Sequence, residues 1–233
     1  MKPYLAALLC VSTALGGCAT AQRPDPLEPM NRKIFGFNEV VDDHVLKPVA
    51  TAYRKVVPSP VRTGVTNFFS NLGDPWSAAN LFMQGRVKDG LSDVGRFGVN
   101  TVAGGLGFVD VATGWGLTRH GEDFGQTLGV WGVDSGAYVV LPLLGPSTAR
   151  DTASLPVDYL ARPQGQISDT GVANGLTLLE LVNRRANLLQ AGQLLDDIAL
   201  DKYTFMRDTF LQRRRSLVND ANPTTEATPD AAP

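Results

Sequence analysis

Apolar residues recur at helical spacing through most of the chain, in segments separated by proline and glycine. Ile34, Phe37, Val41 and Val45 predict a helix over residues 31–57, which Pro48 should bend or split. The run YVVLPLL is compatible with a strand, a buried segment or a segment lying in a membrane. No convincing alternating pattern is present, so the predicted class is mainly α. Further helices are predicted over residues 59–73, 74–85, 86–103, 151–159, 170–189 and 196–217.

Capping residues mark several of these helix boundaries. Ser59-Pro60 and Asp74-Pro75 each resemble an N-cap followed by proline at the first helical position. Asp123 is predicted to cap a further helix. The recurrence of Gly121, Gly125 and Gly129 at every fourth position predicts a helical face without side chains, which permits close packing against another helix. That packing fits a membrane or a soluble fold equally well.

The segment RFGVNTVAGGLGFVDVATGWGL (96–117) is long and apolar enough to cross a bilayer, but glycines interrupt it. Its first part completes a helix that ends at Ala103. Residues 104–117 are predicted to form a glycine-rich apolar loop or hairpin, since repeated glycine disfavours a stable helix. Asp110 within it is costly in hydrocarbon but tolerable if it faces a water-filled cavity.

The N-terminus predicts export and lipid attachment. A short apolar core ends in Leu-Gly-Gly-Cys18, which resembles a lipoprotein signal, so residues 1–17 are predicted to be removed and Cys18 acylated. Ala19, in place of the aspartate that favours inner-membrane retention, leaves the outer membrane as the expected location. Residues 18–29 are predicted to form a tether, and 219–233 a disordered tail. Since Cys10 is removed, no thiol remains for a disulfide or a metal.

Candidate chemistry is sparse. Of the two histidines, His44 follows two aspartates on a helix, and His120 lies in a polar loop. The stretch 132–136 lacks the spacing of a nucleophile elbow. The basic cluster 212–215 near the C-terminus is compatible with a favourable interaction with the helix dipole or with contact to anionic lipid headgroups. With a formal net charge of −2, nothing indicates nucleic acid. We therefore predict no enzyme, cofactor or metal.

One family resemblance extends over about residues 24–215. The stretch DPLEPMNRKIFGFN (25–38) resembles the MlaA (VacJ) family of outer-membrane lipoproteins. The match continues through PVRTGVTNFFSNLGDPWSAANLFMQG, RFGVNTVAGGLGFVDVA, DFGQTLGVWGV and GAYVVLPLLGPSTARD. Each block alone is weak, but their common order makes the match specific.

The resemblance implies a fold and a function. Residues 30–218 would form a single ring-like domain of short amphipathic helices, embedded in the inner leaflet of the outer membrane around a central amphipathic channel. Mislocalised phospholipids would pass from the outer leaflet to a periplasmic MlaC-like carrier, beside a trimeric porin. The implied channel hairpin, in which glycine mobility would gate the lipid, contains Gly104, Gly105, Gly107, Phe108, Val109, Asp110, Val111 and Gly114. A segment implied to hold the resting state contains Phe35, Phe37, Asn38 and Val41.

Two other functions remain open from the residues. The chain fits a structural or assembly lipoprotein at the outer membrane, in which the apolar segments form an ordinary core. A lipid-modifying enzyme would instead need a serine, histidine or acid pair within hydrogen-bonding reach. The exterior of the fold distinguishes the lipid-transport channel from the structural lipoprotein, because a belt of exposed apolar side chains favours embedding in a membrane.

Overall fold

Helices account for most of residues 25–221, the part of the chain that the computed structural model describes, so the predicted mainly α class is confirmed. The predicted signal peptide, Cys18 and residues 222–233 lie outside the described residues. The elements, in chain order, are α1 (Glu28–Val41), a π-helical turn (Asp42–Leu46), α2 (Lys47–Val56), α3 (Ser59–Met83), α4 (Val87–Val102), a 3-10 turn (Thr113–Trp115), α5 (Phe124–Val130), β1 (Tyr138–Leu141), β2 (Gly145–Thr148), α6 (Ala149–Ala161), a second 3-10 turn (Pro163–Gln166), α7 (Thr170–Ile198) and α8 (Lys202–Asp220).

Proline positions explain one predicted boundary and contradict another. The helix predicted over 31–57 is divided by the π-helical turn, immediately before Pro48. It begins at Glu28, inside the predicted tether, with proline in its first turn. The predicted break at Asp74-Pro75 is wrong, because α3 continues through Pro75. Asp74 is buried against α4, and this packing outweighs the lost backbone hydrogen bond. Ser59 is the first helical residue and not the cap.

A small β-hairpin is the main element that the helical pattern does not predict. β1 pairs antiparallel with β2, from Tyr138 opposite Thr148 to Leu141 opposite Gly145. The run YVVLPLL therefore begins as a strand. Its buried residues Tyr138 and Val140 pack with Tyr203 of α8 in one of the small apolar clusters of the fold.

The last two helices are displaced relative to their predicted bounds. α7 extends to Ile198, and the chain breaks at residues 199–201, where the Asp201 side chain accepts a hydrogen bond from the Thr204 N–H. Capping at this aspartate explains why α8 starts six residues later than predicted. The prediction of disorder from residue 219 is wrong for Asn219 and Asp220, which belong to α8.

Two glycines bring α5 close to its neighbours. A Cβ at Gly125 would lie 2.6 Å from Asp151 Oδ1 of α6, and one at Gly129 would lie 2.8 Å from Val218 Cγ2 of α8. Gly121 is different, because it precedes the helix and has a φ of +74°. The expectation that all three glycines share one helical face is therefore corrected to Gly125 and Gly129.

Substitution of Gly125 by alanine tests this close packing. The new methyl group would overlap Asp151 and Ser154, so we expect Gly125→Ala to reduce stability by about 2 kcal/mol. Gly98→Ala on α4 is the matched control, because a Cβ there meets no atom within 4 Å. Thermal unfolding of the purified lipoprotein in detergent measures both variants. Equal melting temperatures would contradict close packing at Gly125.

Candidate functional site: a polar interior beneath an apolar exterior

The helix α4 has its polar face buried and its apolar face exposed. Asp93 and Arg96 are 0% and 3% exposed, whereas Leu91 and Val102 on the other face are 60% and 87% exposed. A helix of a water-soluble protein has the opposite orientation. The periodicity over residues 86–103 predicts the helix correctly, but only the structure shows which face lies outside.

α3 presents a complementary polar face to the same interior. Its buried polar side chains are Asn71, Asp74, Ser77 and Asn80, spaced three residues apart. The Asn71 amide donates to the Thr101 hydroxyl at 3.0 Å, and the Asn80 amide oxygen accepts from the Thr127 hydroxyl at 2.7 Å. These bonds satisfy part of the interior between α3, α4 and α5, while Asn71 Oδ1 and Asp74 Oδ2 are buried without a hydrogen-bond partner among the described residues.

Arg96 joins this interior to the loop 104–117. Its guanidinium donates to both carboxylate oxygens of Asp110 at 3.0 Å, to Thr113 Oγ1 at 3.0 Å and to the Leu117 carbonyl oxygen at 2.7 Å. On its other side, Arg96 Nε lies 3.8 Å from Asp74 Oδ2. We call the contacts of Arg96 and Asn100 with this loop the loop latch.

Asn100, one turn after Arg96, completes the loop latch. Its Oδ1 accepts hydrogen bonds from the backbone N–H groups of Val111 and Ala112, both at 2.9 Å. Its Nδ2 donates to Asp110 at 3.2 Å. Two side chains of α4 therefore hold the middle of the loop through its backbone and through its only carboxylate.

The two carboxylates beside Arg96 differ in their electrostatics. Although partial burial raises the pKa of Asp110, hydrogen bonds from Thr113 and the interaction with Arg96 lower it to about 2. Asp74 is more deeply buried, and desolvation raises its pKa to about 6. The carboxylate of Asp110 is held in the loop latch and is 29% exposed.

At two positions of the loop, a side chain larger than glycine would clash with neighbouring atoms, and at one of them the backbone is also left-handed. A Cβ at Gly104 would overlap the Val109 carbonyl oxygen, and one at Gly107 would lie 2.6 Å from the Asn71 Cβ. Gly107 also has a φ of +88°. The resemblance implies that these glycines give the loop mobility, and at these two positions the structure adds steric reasons for glycine.

The apolar residues of the loop divide between packing and exposure. The Phe108 ring stacks on Phe68 of α3 at a centroid distance of 5.1 Å, and its carbonyl oxygen accepts from Asn67 at 3.2 Å. Phe108 and Val109 both expose much of their side chains to the exterior, and Val111 is half-buried. The loop thus continues the apolar exterior of α4. A methyl group added at Gly105 or Gly114 would meet no atom within 4 Å.

The segment with Phe35, Phe37, Asn38 and Val41 contacts a different part of the fold. The Phe35 ring lies 5.6 Å from that of Tyr203, and Asn38 hydrogen-bonds the Leu141 carbonyl oxygen and the Leu143 N–H. Phe37 is exposed and Val41 is half-buried. These contacts join α1 to the β-hairpin and α8, whereas the loop 104–117 is held by α3 and α4.

Ser77, Asp93 and His120 form a cluster that the sequence does not reveal, because they are far apart in the chain. The Ser77 hydroxyl donates to Asp93 Oδ2 at 2.5 Å and accepts from the Glu122 N–H at 2.9 Å, while His120 Nδ1 lies 2.9 Å from Asp93 Oδ1. The carboxylate stands between serine and histidine. A hydrolase needs histidine beside the serine hydroxyl, so this order suits a structural network.

The other predicted candidates have local partners. His44 is exposed, and its Nδ1 lies 2.9 Å from the Val40 carbonyl oxygen. Residues 25–221 contain no group of three or more acidic, histidine or cysteine side chains arranged to hold a metal ion.

Within the basic cluster 212–215, Arg214 has a role that neither interpretation includes, whereas Arg213 and Arg215 are exposed. Its guanidinium points inward and donates to Asp123 at 2.6 Å and Asp151 at 2.8 Å. Burial opposes the charge, but these carboxylates raise the pKa of Arg214. Asp123 also caps α5 as predicted, through the Gln126 N–H. Arg214 therefore ties α8 to α5 and α6.

Comparisons with known proteins agree with the sequence resemblance. The MlaA lipoprotein family model matches residues 23–217. The chain is 37% identical to the intermembrane phospholipid transport system lipoprotein MlaA of Shigella flexneri and 36% identical to that of Escherichia coli strain K12. Each alignment covers 99% of this chain and 95% of the relative.

A solved structure has the same fold. That structure comes from work on the structural basis for maintenance of bacterial outer membrane lipid asymmetry. It superposes on this chain with a TM-score of 0.75 at 38% sequence identity. The superposition covers 84% of this chain and 100% of that one. Within residues 25–221, every helix is too short or too polar to span a bilayer alone.

The loop latch is tested by removing one charge. Asp110→Asn leaves the Arg96 charge without its closest anion, so we expect a loss of about 2 kcal/mol in stability and faster amide hydrogen exchange at residues 111–113. Asp197→Asn, at an exposed carboxylate of α7, is the matched control. Hydrogen exchange read by mass spectrometry measures both. Unchanged exchange in Asp110→Asn would show that Arg96 does not hold the loop.

Proposed function

This chain belongs to the MlaA lipoprotein family, and from that premise we propose that it transports phospholipids at the outer membrane. It extracts mislocalised phospholipids from the outer leaflet, passes them through a channel to a periplasmic carrier, and so maintains lipid asymmetry. Its Shigella flexneri and Escherichia coli relatives are lipoproteins of an intermembrane phospholipid transport system. The inverted orientation of α4 is the observation that carries the proposal.

The exterior supports embedding in one leaflet. The face of α4 that contains Val87, Leu91, Val94 and Val102 is exposed, and the loop adds Phe108 to this surface. Exposed apolar area of this extent is unfavourable in water and favourable in acyl chains. These short helices lie in the inner leaflet with their apolar faces in the acyl chains, held there by the acylated Cys18.

The interior supports passage of a headgroup. Asp93, Arg96 and Asn100 make the side of α4 opposite the apolar face polar, and in this structure all three are buried and paired with protein groups. A lipid moving along such a boundary keeps its headgroup on polar surface and its acyl chains on apolar surface. This avoids the several kcal/mol needed to carry a charged group through hydrocarbon. A ring of helices around an amphipathic channel provides that boundary.

The loop 104–117 is the proposed gate of this channel. Its apolar side chains lie outside, while the loop latch holds Asp110 on the polar side. Opening exchanges the bidentate contact between Arg96 and Asp110 for other partners, and Asp74 already lies 3.8 Å from Arg96 Nε. The segment around Phe35 and Asn38 holds the β-hairpin, from where it supports the resting state.

The partners follow from this function. We propose that the protein sits beside a trimeric porin and delivers phospholipid to a soluble MlaC-like carrier. A structural or assembly lipoprotein would have a polar exterior, which α4 does not have. A lipid-modifying enzyme would need His120 beside the Ser77 hydroxyl, but Asp93 occupies that place. We therefore propose no catalytic activity.

Embedding can be tested with single cysteines, because neither cysteine of the sequence leaves a free thiol in the acylated mature protein. Leu91→Cys should resist a water-soluble maleimide in intact membranes and react after detergent solubilisation, since acyl chains cover it. Arg213→Cys, exposed on α8, is the control and should react in both states. Equal labelling of the two thiols in membranes would contradict embedding of α4.

The transport function is tested by surface phospholipid. Deleting the gene should raise the amount of aminophospholipid that a membrane-impermeant amine reagent labels on intact cells, and wild type should restore it. Cys18→Ser should fail to restore it, because the protein loses its anchor. Cys10→Ser, in the removed segment, is the matched control and should restore it. Surface phospholipid that is unchanged by deletion would overturn the proposed function.

A further inference from the structure

A cavity of about 520 Å³ lies between α8 and the segment that joins α5 to β1. Its lining includes Leu211, Arg215 and Val218 of α8, and Val133 and Asp134 of the joining segment. No residue of the loop 104–117 lines it. The cavity is therefore separate from the polar interior between α3 and α4.

The arginines around this cavity are not equivalent. Arg150 hydrogen-bonds the Val133 carbonyl oxygen at 3.2 Å and pairs with Asp151 at 3.1 Å, while Arg214 pairs with Asp123 and Asp151. Their charges are compensated within the protein. Both side chains therefore form part of the cavity wall, and their charges are already neutralised by protein carboxylates before a ligand binds.

Arg215 and Asp134 have charges that remain available. Both are exposed side chains, and within residues 25–221 neither forms a hydrogen bond or an ion pair. They line the same cavity from different elements, Arg215 from α8 and Asp134 from the segment between α5 and β1. Asp208 also lines the cavity, and its carboxylate pairs with Arg207 at 2.8 Å. Among the described residues, the cavity thus offers one unpaired cation and one unpaired anion, with Leu211 and Val218 as apolar surface beside them.

A ligand complementary to this cavity carries both charges. A purely anionic ligand would meet Arg215 but would be repelled by Asp134, and a simple cation would have the reverse difficulty. We propose that the cavity is a binding subsite for a zwitterionic phosphodiester headgroup of the phosphoethanolamine type. Arg215 binds the phosphate, Asp134 binds the ammonium group, and Leu211 and Val218 contact the glycerol and the first methylenes. This inference rests on the proposed phospholipid transport.

The site makes the protein selective among phospholipids. A phosphatidylglycerol headgroup offers the phosphate without the ammonium group, so it gains the contact with Arg215 only. A charge-assisted hydrogen bond at a solvent-accessible position corresponds to about a tenfold difference in affinity. We expect wild type to bind short-chain phosphatidylethanolamine about tenfold more tightly than short-chain phosphatidylglycerol.

The test uses the full-length lipoprotein in detergent, titrated with the dihexanoyl forms of both lipids by calorimetry. Asp134→Asn should remove the preference, and Arg215→Gln should weaken binding of both lipids. Arg213→Gln is the matched control, because Arg213 is exposed on the same helix but does not line the cavity. It should behave as wild type.

Each outcome bears on one claim. Lipid binding with a headgroup preference that Asp134→Asn and Arg215→Gln leave unchanged would overturn this site, while the transport function would stand. If surface phospholipid is independent of the gene, the transport function fails instead. Soluble glycerophosphoethanolamine, as a third ligand, should bind more weakly than the lipid. Equal binding would overturn the assignment to a lipid and indicate a site for a soluble zwitterion.

Discussion

The burial of the Arg96 charge is the constraint on which the centre of this protein depends. A desolvated guanidinium costs several kcal/mol unless anions and carbonyl groups surround it. Here Asp110, Thr113 and the Leu117 carbonyl oxygen provide that environment, and all three belong to one loop. The loop therefore cannot leave α4 without exposing the charge or transferring it to Asp74. A segment rich in glycine acquires a defined position from two side chains of α4, Arg96 and Asn100.

The orientation of α4 is where sequence and structure complement each other. The sequence predicts an amphipathic helix. The spacing of its apolar residues does not show whether the apolar or the polar face is buried. Asp93, Arg96 and Asn100 settle this, because their partners lie inside. The resemblance to a membrane-embedded family leads to the same orientation. The glycine pattern predicts a loop over residues 104–117, whereas the loop latch depends on distances that no pattern contains.

Other parts of the fold show why local signals succeed or fail. The sequence predicts Asp123 as a cap and the structure confirms it, because capping involves only the next three residues. The same kind of signal at Pro75 predicts a helix start, but packing of α3 on α4 overrides that preference. β2, with the sequence GPST, has no apolar alternation and takes its structure from β1. The contact of Ser77 with Asp93 joins two helices and is invisible to any local rule.

The closure of α1 on the β-hairpin has a consequence for the order of folding. Asn31 hydrogen-bonds the backbone of Tyr138 and Val140, and Asp25 accepts from the Tyr203 hydroxyl, so residues more than one hundred positions apart meet in one seam. Contacts of such separation form late, after α3, the loop and α4 have assembled locally. Asp25 follows the proposed acylation site by seven residues, a reach of at most about 25 Å. Acylation at Cys18 would therefore hold this seam within that distance of the membrane surface.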